Sequence, residues 1–342
     1  MFTLAAADTS SNVGNQIPEV LNVILATPPS KADATLPPVW VQVLGDALLA
    51  YNSSDRDSCS EELVKVWKAV WNYLDSRDAA TRKATFKSID CLCRCFTPSM
   101  IVSAIADEQG KSTLRKLIMQ VEKAFDSLTY ARAIPEVLEI VSSMVANLSY
   151  RPQGYGSATA AESLLLSLLV KIGEARTAKG FEHKEKAEAT LAMAVKVLGP
   201  EVLLKVLPLN LDPVDRYIYS SLLLAVLMSI RQAGREPRAY LLPLLTQPHP
   251  SPLGHFVSYF VPLSERMFDL QQKAETEGRQ SEAKVWSVLV AQVWAGFASY
   301  CSAPPDLPMV SVLLYLSDFS LIGAVTHAAI FTTYIPTLIH PN

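Results

Sequence analysis

The sequence predicts an all-α fold, a HEAT- or armadillo-like helical-repeat solenoid of antiparallel helix pairs. Three observations predict it. Apolar residues recur at helical spacing, proline and glycine punctuate the pattern at short intervals, and no stretch sustains the period-two alternation of a strand. Leu63, Val66, Trp67, Val70, Trp71 and Leu74 step by three and four, which places them on one helix face. Leu114, Leu117, Ile118, Val121, Phe125 and Leu128 do the same, as do Val137, Ile140, Val141, Met144, Val145 and Leu148.

The expected boundaries agree with these stripes. Thr97-Pro98 reads as an N-cap followed by proline at the first helical position, where the missing N–H costs nothing. Gly110 fits a C-terminal cap, and Ser112 the cap of the next helix. Ile134-Pro135-Glu136 opens another helix, and Gly199-Pro200 closes the Glu182–Leu198 helix and starts a short one. Helix pairs then recur about every 40 residues, in the HEAT or armadillo range. One amphipathic hairpin cannot bury its apolar face alone, so pairs must stack on their neighbours. An irregular helical bundle is the alternative architecture. Residues 1–36 read as a loose segment with one apolar turn, Val20–Leu25, or as the remnant of an earlier helix, and residues 37–112 as the first helical repeats.

Composition excludes several classes. Of 342 residues, 50% are hydrophobic and 18% charged, which suits a large buried core and argues against general disorder. The net charge of -3 gives no global basic field, so any contact with nucleic acid has to come from a local patch. The five cysteines, at 59, 91, 93, 95 and 301, make no disulfide framework and point to a reducing compartment. Met1–Ser10 lacks the basic and apolar regions of a signal peptide.

The chemistry-bearing clusters mostly have plain structural readings. Cys91 and Cys95 share a helix face while Cys93 points nearly opposite, so the trio reads as small buried residues rather than a converging zinc site. Arg151–Ser157 lacks the Walker spacing and reads as an inter-helix loop ending in a capping serine. The histidines, at 183, 249, 255, 327 and 340, form no zinc or nucleophile motif. No catalytic, metal or cofactor residue is assigned. Lys171, Lys179 and Lys184 belong to the densest basic neighbourhood, interleaved with Glu174, Glu182, Glu185 and Glu188, a pattern typical of a solvated face. Arg231, Arg235 and Arg238 form a purer cationic string. These six residues are the candidates for contact with RNA or a partner.

Four motifs occur in order: Gly199–Leu211, ending Leu-Pro-Leu-Asn-Leu; Ala239–Leu245; Tyr259–Arg266; and residues 292–306, with Gln292, Val293, Trp294, Phe297, Cys301 and Pro304-Pro305-Asp306. The series resembles the conserved domain of the ribosomal RNA-processing protein twelve family, over roughly residues 113–308. That resemblance implies a non-catalytic nucleolar and nuclear HEAT-like scaffold. It further implies work on precursor ribosomal RNA, on pre-ribosomal subunit maturation and export, and with Ran GTPase and export factors.

The resemblance breaks twice. Residues 214–232 form an atypical insert containing the uncharged run Tyr217–Ile230, and the apolar tail 309–342 has Asp318 as its one carboxylate or ammonium side chain. Family members are much longer, so the sequence reads as a truncated fragment. Tyr217–Ile230 has 14 residues, too few to span a bilayer; Phe319–Ile335 has 17, includes His327, and leaves a tail anchor as a minor alternative. A solenoid that binds peptides or a small GTPase, as transport receptors do, is the main functional alternative. Loop closure cost grows slowly with length, so deleting residues 214–232 is expected to leave the helical circular-dichroism signal and cooperative melting intact. Loss of both would place the insert in the core.

Overall fold

In the computed structural model of the chain, the residues described are 13–107, 109–153, 158–211, 236–302 and 305–306, and every regular element among them is helical. The insert 214–232 and the tail 309–342 lie outside them. Two compact units divide at residues 249 and 250.

The first unit contains α1 (Val13–Ala26), α2 (Leu36–Ser54), α3 (Arg56–Trp71), α4 (Ala79–Cys93), α5 (Pro98–Ala106), α6 (Thr113–Asp126), α7 (Ile134–Asn147), α8 (Ala160–Thr177), α9 (Lys184–Leu198) and α10 (Pro200–Val206). Tight 3-10 turns span Leu128–Ala133 and Ala239–Thr246. The helix ends follow local chemistry. Thr97 accepts from the Met100 N–H ahead of Pro98, and Pro135 sits in the first turn of α7. Gly199, at φ 86°, ends α9 where a side chain would be strained, and Pro200 then begins α10. Asp55 and Asp78 cap α3 and α4, accepting from the Ser58 and Thr81 N–H groups, and hydrogen bonds from these two residues hold both carboxyls below the usual range.

Some expectations need correction. The segment 1–36 contains a helix, α1: Leu21 is fully buried, and Trp40 Nε1 donates to the Ile24 carbonyl at 3.1 Å. Its polar lead and Pro18 masked the period in the sequence. Gly110 has φ 71° but lies beyond Asp107, the actual C-cap of α5. Ser112 precedes α6 without a side-chain capping bond. The cap of α8 is Thr159, which accepts from the Glu162 N–H, rather than a serine of the Arg151–Ser157 loop.

Stacking makes these helices a solenoid. In one layer α2, α4, α7 and α9 follow each other, with α4 packed between α2 and α7 and α7 between α4 and α9. In the second, α3, α6 and α8 are linked by Trp67–Gln120 and Lys171–Glu122 contacts. The ties run from repeat to repeat. Ser143 Oγ donates to Asp90 at 2.6 Å across 53 positions, and Thr190 Oγ1 donates to the Leu138 carbonyl at 3.0 Å across 52. The period is thus longer than the roughly 40 residues expected from spacing alone. All the stripe residues of α3 and α7 are buried. The α6 stripe ends earlier than its spacing implies, since α6 stops at Asp126 and Leu128 is 92% exposed.

The cysteine trio divides between neighbouring helices. Cys91 lies 3.9 Å from Asp46 of α2 and Cys95 lies 4.0 Å from the Leu48 carbonyl, whereas Cys93 bonds toward Ser143 of α7. Burial pushes the Cys93 thiol far above its ordinary range.

The second unit is a hairpin of α11 (Val261–Thr276) and α12 (Gln280–Ala295), followed by α13 (Phe297–Cys301). A helical start, Leu253–His255, enters α11 through a π-helical turn, Phe256–Phe260. Pro262, in the first turn of α11, cannot donate a backbone bond. Phe256, Phe260, Trp294, Phe297 and Tyr300 fill the junction with ring contacts 5.0–6.0 Å apart, most of them edge-on or tilted. No single helix among the described residues is long and apolar enough to cross a membrane.

Candidate partner-binding surfaces

The six candidate residues have different fates. Lys171 on α8 is engaged: its ammonium meets Glu122 at 2.7 Å and Asp126 at 3.1 Å, both on α6. The Glu122 bond, with help from Asp126, raises its pKa. Its charge ties two repeats together. Arg238 is buried, being 2% exposed. Its Nη1 donates to the Pro208 carbonyl at 2.9 Å and its backbone N–H to the Leu209 carbonyl at 2.7 Å. Burial pulls the guanidinium pKa down. The chain on either side of the insert therefore meets at this point, with Asn210 at φ 51° turning the Leu-Pro-Leu-Asn-Leu segment.

Lys179 and Lys184 remain exposed in and after the turn joining α8 to α9, with no ion pair among the described residues. Arg231 and Arg235 lie outside the described residues. Around the turn, Arg176 pairs with Glu188 at 2.6 Å and lies 4.4 Å from the centroid of the Tyr240 ring. Lys186 pairs with Glu139. The basic neighbourhood is thus largely consumed in holding adjacent helices together, leaving two cations at its edge.

A second surface was not evident in the sequence. A groove of about 460 Å³ is lined by Trp71 of α3, Lys116, Met119, Gln120 and Lys123 of α6, and Tyr130 of the following 3-10 turn. The α6 residues recur at i, i+3, i+4 and i+7, on the face its buried stripe leaves outward. Trp67 Nε1 donates to Gln120 Oε1 at 3.2 Å, and Trp71 Nε1 donates to the Tyr130 hydroxyl at 3.0 Å. An indole N–H can only donate. It therefore fixes Gln120 with its amide NH₂ unspent and Tyr130 with its own O–H free to donate. Glu122 and Asp126, the carboxylates of α6, are committed to Lys171. Lys116 and Lys123 make no ion pair among the described residues, so the groove presents cations and hydrogen-bond donors. The signal available in sequence was the pair of lysines seven apart flanking Met-Gln, but their tryptophan partners lie some 50 positions upstream.

The motif residues of the second unit are structural. Asp306 accepts from the Leu253 and Gly254 N–H groups, both at 2.8 Å, and so caps the helical start. His255 Nδ1 lies 2.8 Å from the Tyr300 hydroxyl. No group of three or more His, Cys, Asp or Glu residues that could hold a metal ion occurs among the described residues.

Stacked helix pairs tied through residues about 50 positions apart define the class: an α-helical repeat protein. Within that class the chain belongs to the family described as ribosomal RNA-processing protein 12, HEAT repeats, whose model matches residues 75–310. The match begins ahead of the residue 113 suggested by the four motifs.

The chain is 27% identical to a Schizosaccharomyces pombe protein carrying the name putative ribosomal RNA-processing protein 12, over 84% of this chain and 22% of that protein. It is 23% identical to the Saccharomyces cerevisiae ribosomal RNA-processing protein 12, over 95% of this chain and 26% of that one. It is also 23% identical to the Gallus gallus RRP12-like protein, over 84% and 21%. The chain thus spans about a fifth to a quarter of the length of these curated relatives.

Proposed function

We propose that this chain is a non-catalytic scaffold segment in ribosome biogenesis, acting in the nucleus and nucleolus on precursor ribosomal RNA and its assembly and export factors. The observation that carries the reading is the family match over residues 75–310, on a stack of helix pairs joined by side-chain ties such as Ser143–Asp90 and Thr190–Leu138. RNA contact at the α8–α9 turn, through Lys179 and Lys184, is the local part of the proposal. Two exposed cations give a weak, salt-sensitive contact that supplements others rather than a complete site.

Tagged chain is expected to sediment with pre-ribosomal particles and to crosslink to precursor ribosomal RNA. The double substitution Lys179→Glu and Lys184→Glu is expected to lower the crosslinking yield and its salt dependence while leaving helicity unchanged. Recovery of the wild-type chain only in ribosome-free fractions overturns the scaffold reading. Unchanged crosslinking in the double variant removes the turn from it.

A further inference from the structure

We propose that the groove between α3 and α6 is a docking site for an acidic, leucine-bearing peptide segment of a partner protein. The argument begins with its polarity. Trp67 and Trp71 act as donors within the wall, so the Gln120 amide NH₂ and the Tyr130 O–H remain available as donors. Ser127 adds a third, because its oxygen already accepts from the Thr129 N–H at 3.3 Å. Lys116 and Lys123 flank these groups, and the neighbouring carboxylates of α6 are held by Lys171. A site made of donors and cations is complementary to carboxylates, which accept hydrogen bonds and carry charge.

The apolar part of the site decides which kind of anion fits. Single-stranded nucleic acid binds through aromatic faces open to successive bases. Here Trp71 is 3% exposed, with its indole packed against Trp67 on one side and Tyr130 on another. The exposed apolar side chain in the groove is instead a thioether: Met119 is 41% exposed there. A methionine receives an aliphatic side chain such as leucine, because its flexible thioether adapts to the shape of what enters. A volume of about 460 Å³ admits a few side chains of a peptide rather than a folded domain. The proposal concerns a protein partner and is separate from RNA contact at the α8–α9 turn.

The test uses the whole chain and fluorescence anisotropy with three labelled probes: an Asp/Glu-rich peptide with leucines at helical spacing, its Asn/Gln analogue, and a single-stranded oligouridine of matched charge. The acidic peptide is expected to bind, with the amide analogue about tenfold weaker because only the charge has been removed. Lys116→Glu with Lys123→Glu is expected to weaken the acidic peptide by at least about tenfold. Lys179→Glu with Lys184→Glu should leave it within about twofold, since that turn is a different surface. Both lysines of the groove are exposed, so melting of the first variant should match the wild type, and Lys116→Ala with Lys123→Ala provides a milder check. Three results overturn the proposal: no peptide binding, peptide binding indifferent to the Lys116 and Lys123 substitutions, or oligouridine alone bound in a manner those substitutions abolish. Failure here leaves sedimentation with pre-ribosomal particles unaffected, so the two readings are judged apart.

Discussion

Trp67→Ala is expected to destabilise the first unit by about 3–5 kcal/mol, the range for emptying a buried tryptophan site. Trp67 is completely buried, and its ring stacks on Trp71 at 5.8 Å with 12° between planes. Its N–H reaches Gln120 of α6, 53 positions away, so the side chain bridges consecutive repeats of the second layer. Truncation removes the transfer free energy of the indole and leaves a cavity that a helix–helix interface cannot readily close. It also deprives Gln120 Oε1 of its donor. Trp67→Phe separates these effects: most of the volume stays and chiefly the hydrogen bond is lost, so a smaller cost of about 1–2 kcal/mol is expected. Urea denaturation followed by far-ultraviolet circular dichroism reads both. The alanine loss is large against total stabilities of about 5–15 kcal/mol for a domain. An alanine variant no less stable than the phenylalanine variant would mean that Trp67 is not a keystone of the stack. The same substitution frees Gln120, so it also loosens the donor set of the neighbouring groove.

Signals local in sequence gave a good account of the helices and a poor account of the surfaces. The helical stripes of α3 and α7, the Thr97-Pro98 start and the Gly199-Pro200 break are properties of a few adjacent residues, and each is found in the structure. The charged residues were harder because a cation's role depends on its partner. Lys171 is spent on carboxylates 45 or more positions away, and Arg238 is drawn inside by carbonyls of Pro208 and Leu209. Nothing adjacent to either residue announces this. Conversely, the α3–α6 groove exists only because α3 and α6 are neighbours in space. Its character depends on the tryptophan donors that stand beside Gln120 and Tyr130. The solenoid class was legible because stacking is the general remedy for amphipathic hairpins. The longer period was not, because loop lengths and the extra helix α5 set it.

Gly45 makes the second large effect, and its sign is the informative part. An interior helical glycine ordinarily costs about 1 kcal/mol relative to alanine, so Gly→Ala at an open position stabilises. At Gly45 of α2, an added methyl carbon would lie 2.5 Å from Ser88 Oγ and 2.8 Å from the Ser88 α-carbon of α4. The second distance matters more, because it involves backbone and cannot be relieved by turning a side chain. α2 and α4 are consecutive members of the first layer, so the glycine sets how closely two repeats approach. Gly45→Ala is therefore expected to destabilise by about 1–3 kcal/mol, despite the gain in helix propensity, and Gly45→Val by about 3 kcal/mol or more. Ser88→Ala in the Gly45→Ala background should recover only part of the loss, since it removes the clash with the hydroxyl and leaves the clash with the backbone in place. Thermal melting of the single and double variants tests this. A Gly45→Ala protein that melts above the wild type, or complete rescue by Ser88→Ala, would show that the helix backbones are free to separate and that this close approach does not hold the repeats in register.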